Sequence, residues 1–213
     1  MTVISKEEMV AQEVAMEQLT KSRLSQLAYW VSQIGSPPLT GAGAAFLIGF
    51  THSTTLAWQW TIFYIALTIL APCAYILWLV QAGKVADFHL PNREQRIRPL
   101  LLSVGAAIVT WMVLYQVEAP RLLQMLATVN GVQTVLFLAI TLRWKISLHC
   151  TAATILSELA FVLFGVGAVP LTMSVPLIAW SRVHLERHTV GQTVAGVCLG
   201  VGILTPALWM YWG

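Results

Sequence analysis

Residues 100–142 read LLLSVGAAIVTWMVLYQ-VEAPR-LLQMLATVNGVQTVLFLAITL, and this stretch decides the class of the fold. Two uncharged runs of 17 and 21 residues, Leu100–Gln116 and Leu122–Leu142, flank a five-residue polar turn. A helix needs roughly 20 apolar residues to cross a hydrocarbon core of about 30 Å. Two such runs joined by so short a turn predict two neighbouring antiparallel crossings.

Working outward, the same pattern recurs. Leu39–Phe50 (short and glycine-rich) and Ala57–Val80 precede the pair; Leu148–Phe164, Leu171–Trp180 and Thr193–Tyr211 follow it. Trp78, Trp144, Trp180, Trp209 and Trp212 sit at segment ends, where amphipathic rings meet the headgroups. Of the 213 residues 57% are apolar and only 10% are charged. Soluble domains carry about 25% charge. The mean hydropathy of +0.73 agrees with a membrane protein. These figures exclude a disordered chain, a nucleic-acid binder and an ordinary cytosolic enzyme. The expected fold is all-α: a polytopic bundle of six to seven transmembrane helices over residues 36–213, with one amphipathic helix over 1–35. Gly196 and Gly200 form a GxxxG, which predicts close packing of the last helix.

Ser5 to Ile34 should be that amphipathic helix. Leu24, Leu27, Val31 and Ile34 recur at helical spacing, with acidic residues (Glu7, Glu8, Glu13, Glu17) early and Lys21 and Arg23 later. Two placements fit: on the membrane surface, or packed on the chain's own membrane domain. Gly35-Ser-Pro-Pro38 breaks it. Seven crossings would put 11 of the 12 lysines and arginines on one side, with Arg121 opposite. The positive-inside rule makes that side cytoplasmic, in the cell membrane.

Three polar clusters fall on that side. DFHLPNREQRIRP (87–99) brings Arg93, Arg96 and Arg98 to the start of a membrane helix. Guanidinium groups there bind phosphate bidentately or contact lipid headgroups. KISLHC (145–150) puts His149 at a helix start, where it could act as a general acid beside Ser147. SRVHLERHTVGQ (181–192) places Arg182 at the end of one helix and His188 at the start of the next. A helix N-terminus disfavours the charged imidazole and keeps it nucleophilic.

Together the clusters resemble the type 2 phosphatidic acid phosphatase (PAP2) family, which is related to vanadium haloperoxidases. Its first motif ends in Arg-Pro, matched by Arg98-Pro99; its second holds a serine and a histidine, matched by Ser147 and His149. Its third has Ser-Arg followed after five residues by His, matched by Ser181-Arg182 and His188. Four positions depart. Pro91 stands at the first motif's lysine, Ile146 and Leu148 at the second motif's proline and glycine, and Gln192 at the third motif's aspartate. The resemblance implies a membrane phosphatase acting on a lipid or isoprenoid (di)phosphate without metal or cofactor. His188 would attack phosphorus, Gln192 would orient His188, and His149 would protonate the leaving oxygen. Arg98, Arg182, Arg93, Arg96 and Ser147 would hold the phosphate. The replacements imply the alternative of a catalytically degenerate PAP2-like protein, a structural or lipid/cofactor-binding subunit of a larger membrane complex or homo-oligomer. Membrane lipid is the partner in either case, and nucleic acid in neither.

Three residues stand outside the motifs. Glu158 lies inside an apolar run, either as a proton relay or bonded to a neighbouring helix. His184 and His188 form an HxxxH pair that lacks further ligands at matching spacing. His52 could ligate a porphyrin-like group or simply end a helix.

Overall fold

The computed structural model describes residues 21–85 and 93–212, and all regular structure among them is helical. The acidic start of the amphipathic segment, residues 5–20, lies outside the described residues. Helix α1 covers residues 21–34. Then follow α2 (Pro37–His52), α3 (Thr55–Gln81), α4 (Arg93–Gln116), α5 (Arg121–Thr141), α6 (Leu148–Phe164), α7 (Val169–His184) and α8 (Val190–Trp212). Each of the seven apolar runs of the sequence becomes a helix.

The breaks follow local chemistry. Pro37 and Pro38 open α2, where a missing N–H costs nothing. Ser53, with φ 47, ends it in the left-handed region, and the Thr54 hydroxyl accepts from the Ala57 N–H to start α3. Pro72 cannot donate to the α3 ladder, and the preceding turn, Ala66–Leu70, widens to a π-turn. Gly165, with φ 58, stops α6 where a side chain would be strained. Helix α4 starts earlier than the apolar run does: Arg93 to Arg98, expected as part of a polar link, form its first turns. These are good helix formers, and Glu94 suits the helix N-terminus.

Among the described residues, five stretches are long and apolar enough to cross a membrane: Thr55–Gln81, Glu94–Gln116, Arg121–Thr141, Leu148–His184 and Val190–Trp212. This is fewer than six to seven. Helix α2 has only 16 residues, and Leu148–His184 is a hairpin whose arms, α6 and α7, have 17 and 16. The outward surface is apolar along the helices; Phe50, Ile62, Met112, Val201 and Met210 are all exposed. A surface of that kind belongs in lipid. The protein is an integral membrane protein.

Lipid does not drive helices together as water does, so close approach depends on small residues and hydroxyls. A Cβ on Gly196 would lie 2.5 Å from the Ser147 carbonyl oxygen, and one on Gly200 would lie 2.8 Å from Thr154 Cβ. Thr151 Oγ1 donates to the Gly196 carbonyl at 2.9 Å. The GxxxG thus clamps α8 against the first two turns of α6. Tyr64, Leu114, Leu123, Leu159 and Leu204 fill the core between helices.

Candidate functional site

The start of α8 is a capping box. The Gln192 N–H donates to Thr189 Oγ1 at 3.3 Å, and the Thr189 N–H donates to Gln192 Oε1 at 3.3 Å. The same Oε1 lies 3.0 Å from His188 Nδ1. A backbone N–H can only donate, so the atom facing Thr189 is the amide oxygen. His188 Nδ1 therefore carries the proton, and Nε2 keeps its lone pair.

His188 is buried, and burial is the main reason that its pKa falls to about 4. The Gln192 bond raises it, while Arg182, Lys145 and Arg96 lower it further. At neutral pH the ring is uncharged. The backbone N–H of His188 donates to the Arg182 carbonyl at 3.2 Å, and the backbone N–H of Arg187 donates to the same oxygen at 3.0 Å. The end of α7 and the start of α8 are thereby one folded unit.

Ser147 joins this unit from the other side. Its N–H donates to the Gln192 carbonyl at 3.3 Å, and its Oγ accepts from the Cys150 N–H at 3.4 Å as the N-cap of α6. It is fully buried and does not line the cavity, so its side chain serves the helix. His149, two residues on, is half-buried and lines the cavity with His188.

That cavity has a volume of about 580 Å³, within the usual range for a small-molecule site. Arg96, Arg182, His149 and His188 share its wall with apolar residues such as Ile69, Leu126, Val129 and Phe137. Arg182 is buried, and its Nη1 donates to Ser32 Oγ of α1 at 2.6 Å. Its Nε has no hydrogen-bond partner among the described residues. A buried cation with spare donors favours an anion beside it.

The sequence-predicted residues divide. His188, Gln192, His149, Arg182 and Arg96 come together. Arg98 does not: it is exposed and outside the cavity wall. In a helix, residues two apart point to nearly opposite sides, so Arg96 and Arg98 cannot both face inward. The Arg93 side chain and Pro91 lie outside the described residues. His184 stacks on Trp180 and meets Ser25 Oγ at 3.3 Å. His52 sits in the last turn of α2. Glu158 Oε1 accepts from Thr205 Oγ1 of α8 at 2.5 Å, the neighbouring-helix bond that was one of its two readings.

Two residues were missed by motif reading. Lys145 is half-buried, and burial first, then Arg96, Arg182 and Arg187, pushes its pKa down. It belongs to the same positive group, and its position two residues before Ser147 was the available signal. Ser32 carried no signal. Comparison with protein-family models, with curated proteins and with solved structures finds no match for this chain.

Proposed function

We propose that the protein is a PAP2-type phosphatase that releases phosphate from a membrane lipid phosphate through a phosphohistidine. The observation that carries the reading is one cavity, about 580 Å³, that combines two arginines and two histidines with an apolar wall. Such a cavity suits an amphiphile with an anionic head and a hydrocarbon tail.

In this reading Arg182 and Arg96 hold the phosphate oxygens and spread the charge of the transition state. His188 Nε2 attacks phosphorus as the bond to the lipid oxygen breaks, and His149 gives that oxygen its proton. Water then attacks the phosphohistidine and passes a proton to His149, and the P–N bond breaks to free phosphate. Gln192 holds His188 Nδ1–H throughout. Lys145 adds positive charge near the site, in a chain that has Pro91 where the family has lysine.

The same proposal extends to topology. Helix α2 and both arms of the Leu148–His184 hairpin would cross, giving seven crossings, with locally thinned bilayer beside the short ones. The motif loops would face the cytoplasm, in the cell membrane.

One observation favours a second reading. Gln192 is neutral, and its amide oxygen already completes the capping box. Its presence is explained without catalysis, as in a silent lipid-binding relative. Phosphate release by the purified protein from a panel of prenyl and glyceryl phosphates decides. Turnover that His188→Ala abolishes supports the phosphatase; an inert wild type on the whole panel favours the silent protein.

A further inference from the structure

The residues of α1 are sorted by kind around its axis. At about 3.6 residues per turn, Leu27, Trp30 and Ile34 share one side of the helix, and Ser22, Gln26, Tyr29 and Gln33 share another. Trp30 and Ile34 are 63% and 69% exposed. Along the polar side, Gln33 Nε2 donates to the Tyr29 hydroxyl at 3.1 Å. The third side is the seat on the bundle. Ala28 and Ser32 are buried there, and a Cβ on Gly35, just past the helix, would come within 2.5 Å of the Ile178 side chain of α7.

Each outer side of α1 disfavours one solvent. Lipid all round would strip water from Ser22, Gln26 and Gln33, and water all round would leave a leucine, a tryptophan and an isoleucine bare together. A helix with one side for each solvent fits the plane of the lipid headgroups. There its apolar side sinks about 5–10 Å, and a tryptophan ring is favoured. The apolar side also continues into the lipid-facing surface of the bundle: Ile34 leads through Gly35 and Pro38 to Leu39, which is exposed in the first turn of α2. Arg23, exposed seven residues before Trp30 and so on the same side, suits the anionic phosphates of that layer.

We infer that the Leu27–Trp30–Ile34 side of α1 docks on the headgroup layer of the bilayer that holds the bundle, and that this docking keeps Ser32 on Arg182. Helix α1 is then a strap, with lipid along one side and the guanidinium of the site on another. The docking stands apart from the phosphatase reading; its effect on turnover rests on that reading.

The test reads the docking first and its effect second. The full chain, with Cys73, Cys150 and Cys198 replaced by alanine, is placed in nanodiscs of phosphatidylcholine and phosphatidylglycerol. Nitroxides attached singly at Leu27→Cys, Ile34→Cys and Gln26→Cys are probed by paramagnetic resonance with oxygen, which concentrates in lipid, and with a nickel chelate, which stays in water. Oxygen collisions should dominate at positions 27 and 34, and nickel collisions at 26. Nickel access at 27 and 34 equal to that at 26 overturns the docking. Exclusion of both reagents there also overturns it, and would place a protein partner on this side.

For the effect, Leu27→Glu combined with Ile34→Glu should quicken hydrogen exchange across residues 28–36. It should also lower phosphate release roughly tenfold, and adding Ser32→Ala should cost little more, since both changes act through one contact. Gln26→Glu, on the polar side, should leave turnover unchanged. A double glutamate variant that exchanges like wild type overturns the link to Arg182, and so does one that exchanges faster yet keeps full turnover. An inert wild type with oxygen dominant at 27 and 34 sinks the phosphatase reading and leaves the docking standing. An active wild type with nickel reaching both positions does the reverse.

Discussion

Ser32 and Arg182 stand 150 positions apart in the chain, yet the Ser32 hydroxyl accepts from Arg182 Nη1 at 2.6 Å, with both residues buried. The first helix is therefore part of the site. Its Leu27, Trp30 and Ile34 are exposed apolar residues, while Ala28 and Ser32 face the bundle. Of the two placements that the sequence left open, packing on the chain's own membrane domain is the one seen.

Ser32→Ala should leave the Arg182 guanidinium less well held. Hydrogen bonds to charged groups contribute about 1.5–3 kcal/mol. Phosphate release should fall by roughly tenfold or more, on the scale of 1.4 kcal/mol per decade. Turnover equal to wild type would mean that Arg182 is fixed by packing alone.

His188 sets the response to pH. Its pKa in the folded protein is about 4 against an ordinary 6.5, so the ring loses its proton near pH 4. The nucleophile must be neutral, and kcat/KM should therefore stay level through pH 6.5 and fall only as pH drops through about 4. Stability follows the same two values. Between them the unfolded chain binds a proton that the folded protein refuses, so stability declines as pH falls from 6.5 to 4. His188→Gln should flatten that decline in a series of Tm measurements against pH.

Gln192 should tolerate charge but not loss. Gln192→Glu keeps the reach of the side chain, preserves the capping box and adds the negative charge that an imidazolium needs. It should raise turnover and move the acid limb of kcat/KM upward in pH. Gln192→Ala should cost about 1 kcal/mol of stability through the lost cap and roughly a hundredfold in turnover through the lost orientation. Thermal unfolding and phosphate release measure the two effects separately.

Glu158 is tested by its bond to Thr205. Glu158→Gln retains an oxygen that can accept from Thr205 Oγ1, and stability should stay within about 0.5 kcal/mol of wild type. Glu158→Leu removes the acceptor and should cost about 1 kcal/mol. A large loss of activity on the glutamine change, with Tm unaltered, would show that the carboxyl itself is used.

The proposed orientation can be read at Ala82, exposed just past the end of α3. Ala82→Cys should resist an impermeant maleimide added to intact cells and react once the membrane is opened. Ready labelling from outside would reverse the topology.

The sequence made the helices legible because hydrocarbon demands long uncharged runs, and their ends are marked by Pro, Gly and Trp. His188, His149, Arg182 and Gln192 were legible because their spacing around two helix starts is local. What failed to read through was three-dimensional. Arg96 and Arg98 look equivalent in a basic run until α4 starts at Arg93 and turns them apart. Lys145 counts as an ordinary interfacial cation until Arg96, Arg182 and Arg187 gather round it. The Leu148–His184 run looks like two crossings in sequence, yet its arms of 17 and 16 residues are each too short for an average core. No pattern predicts Ser32, because a serine between apolar neighbours has no periodicity of its own.

The spacing of the two histidines is gauged by an atom that is missing. At Gly196 the carbonyl oxygen of Ser147 lies 2.5 Å from where a methyl group would be. His149 follows that carbonyl by two residues, and Gln192 binds Ser147 through its own carbonyl. The two helix starts therefore rest against each other main chain to main chain, like a mechanical stop. Side chains around the site can be exchanged without altering that stop. A single methyl at position 196 would shim the helices apart and throw the whole site out of alignment while every polar group in it remained present.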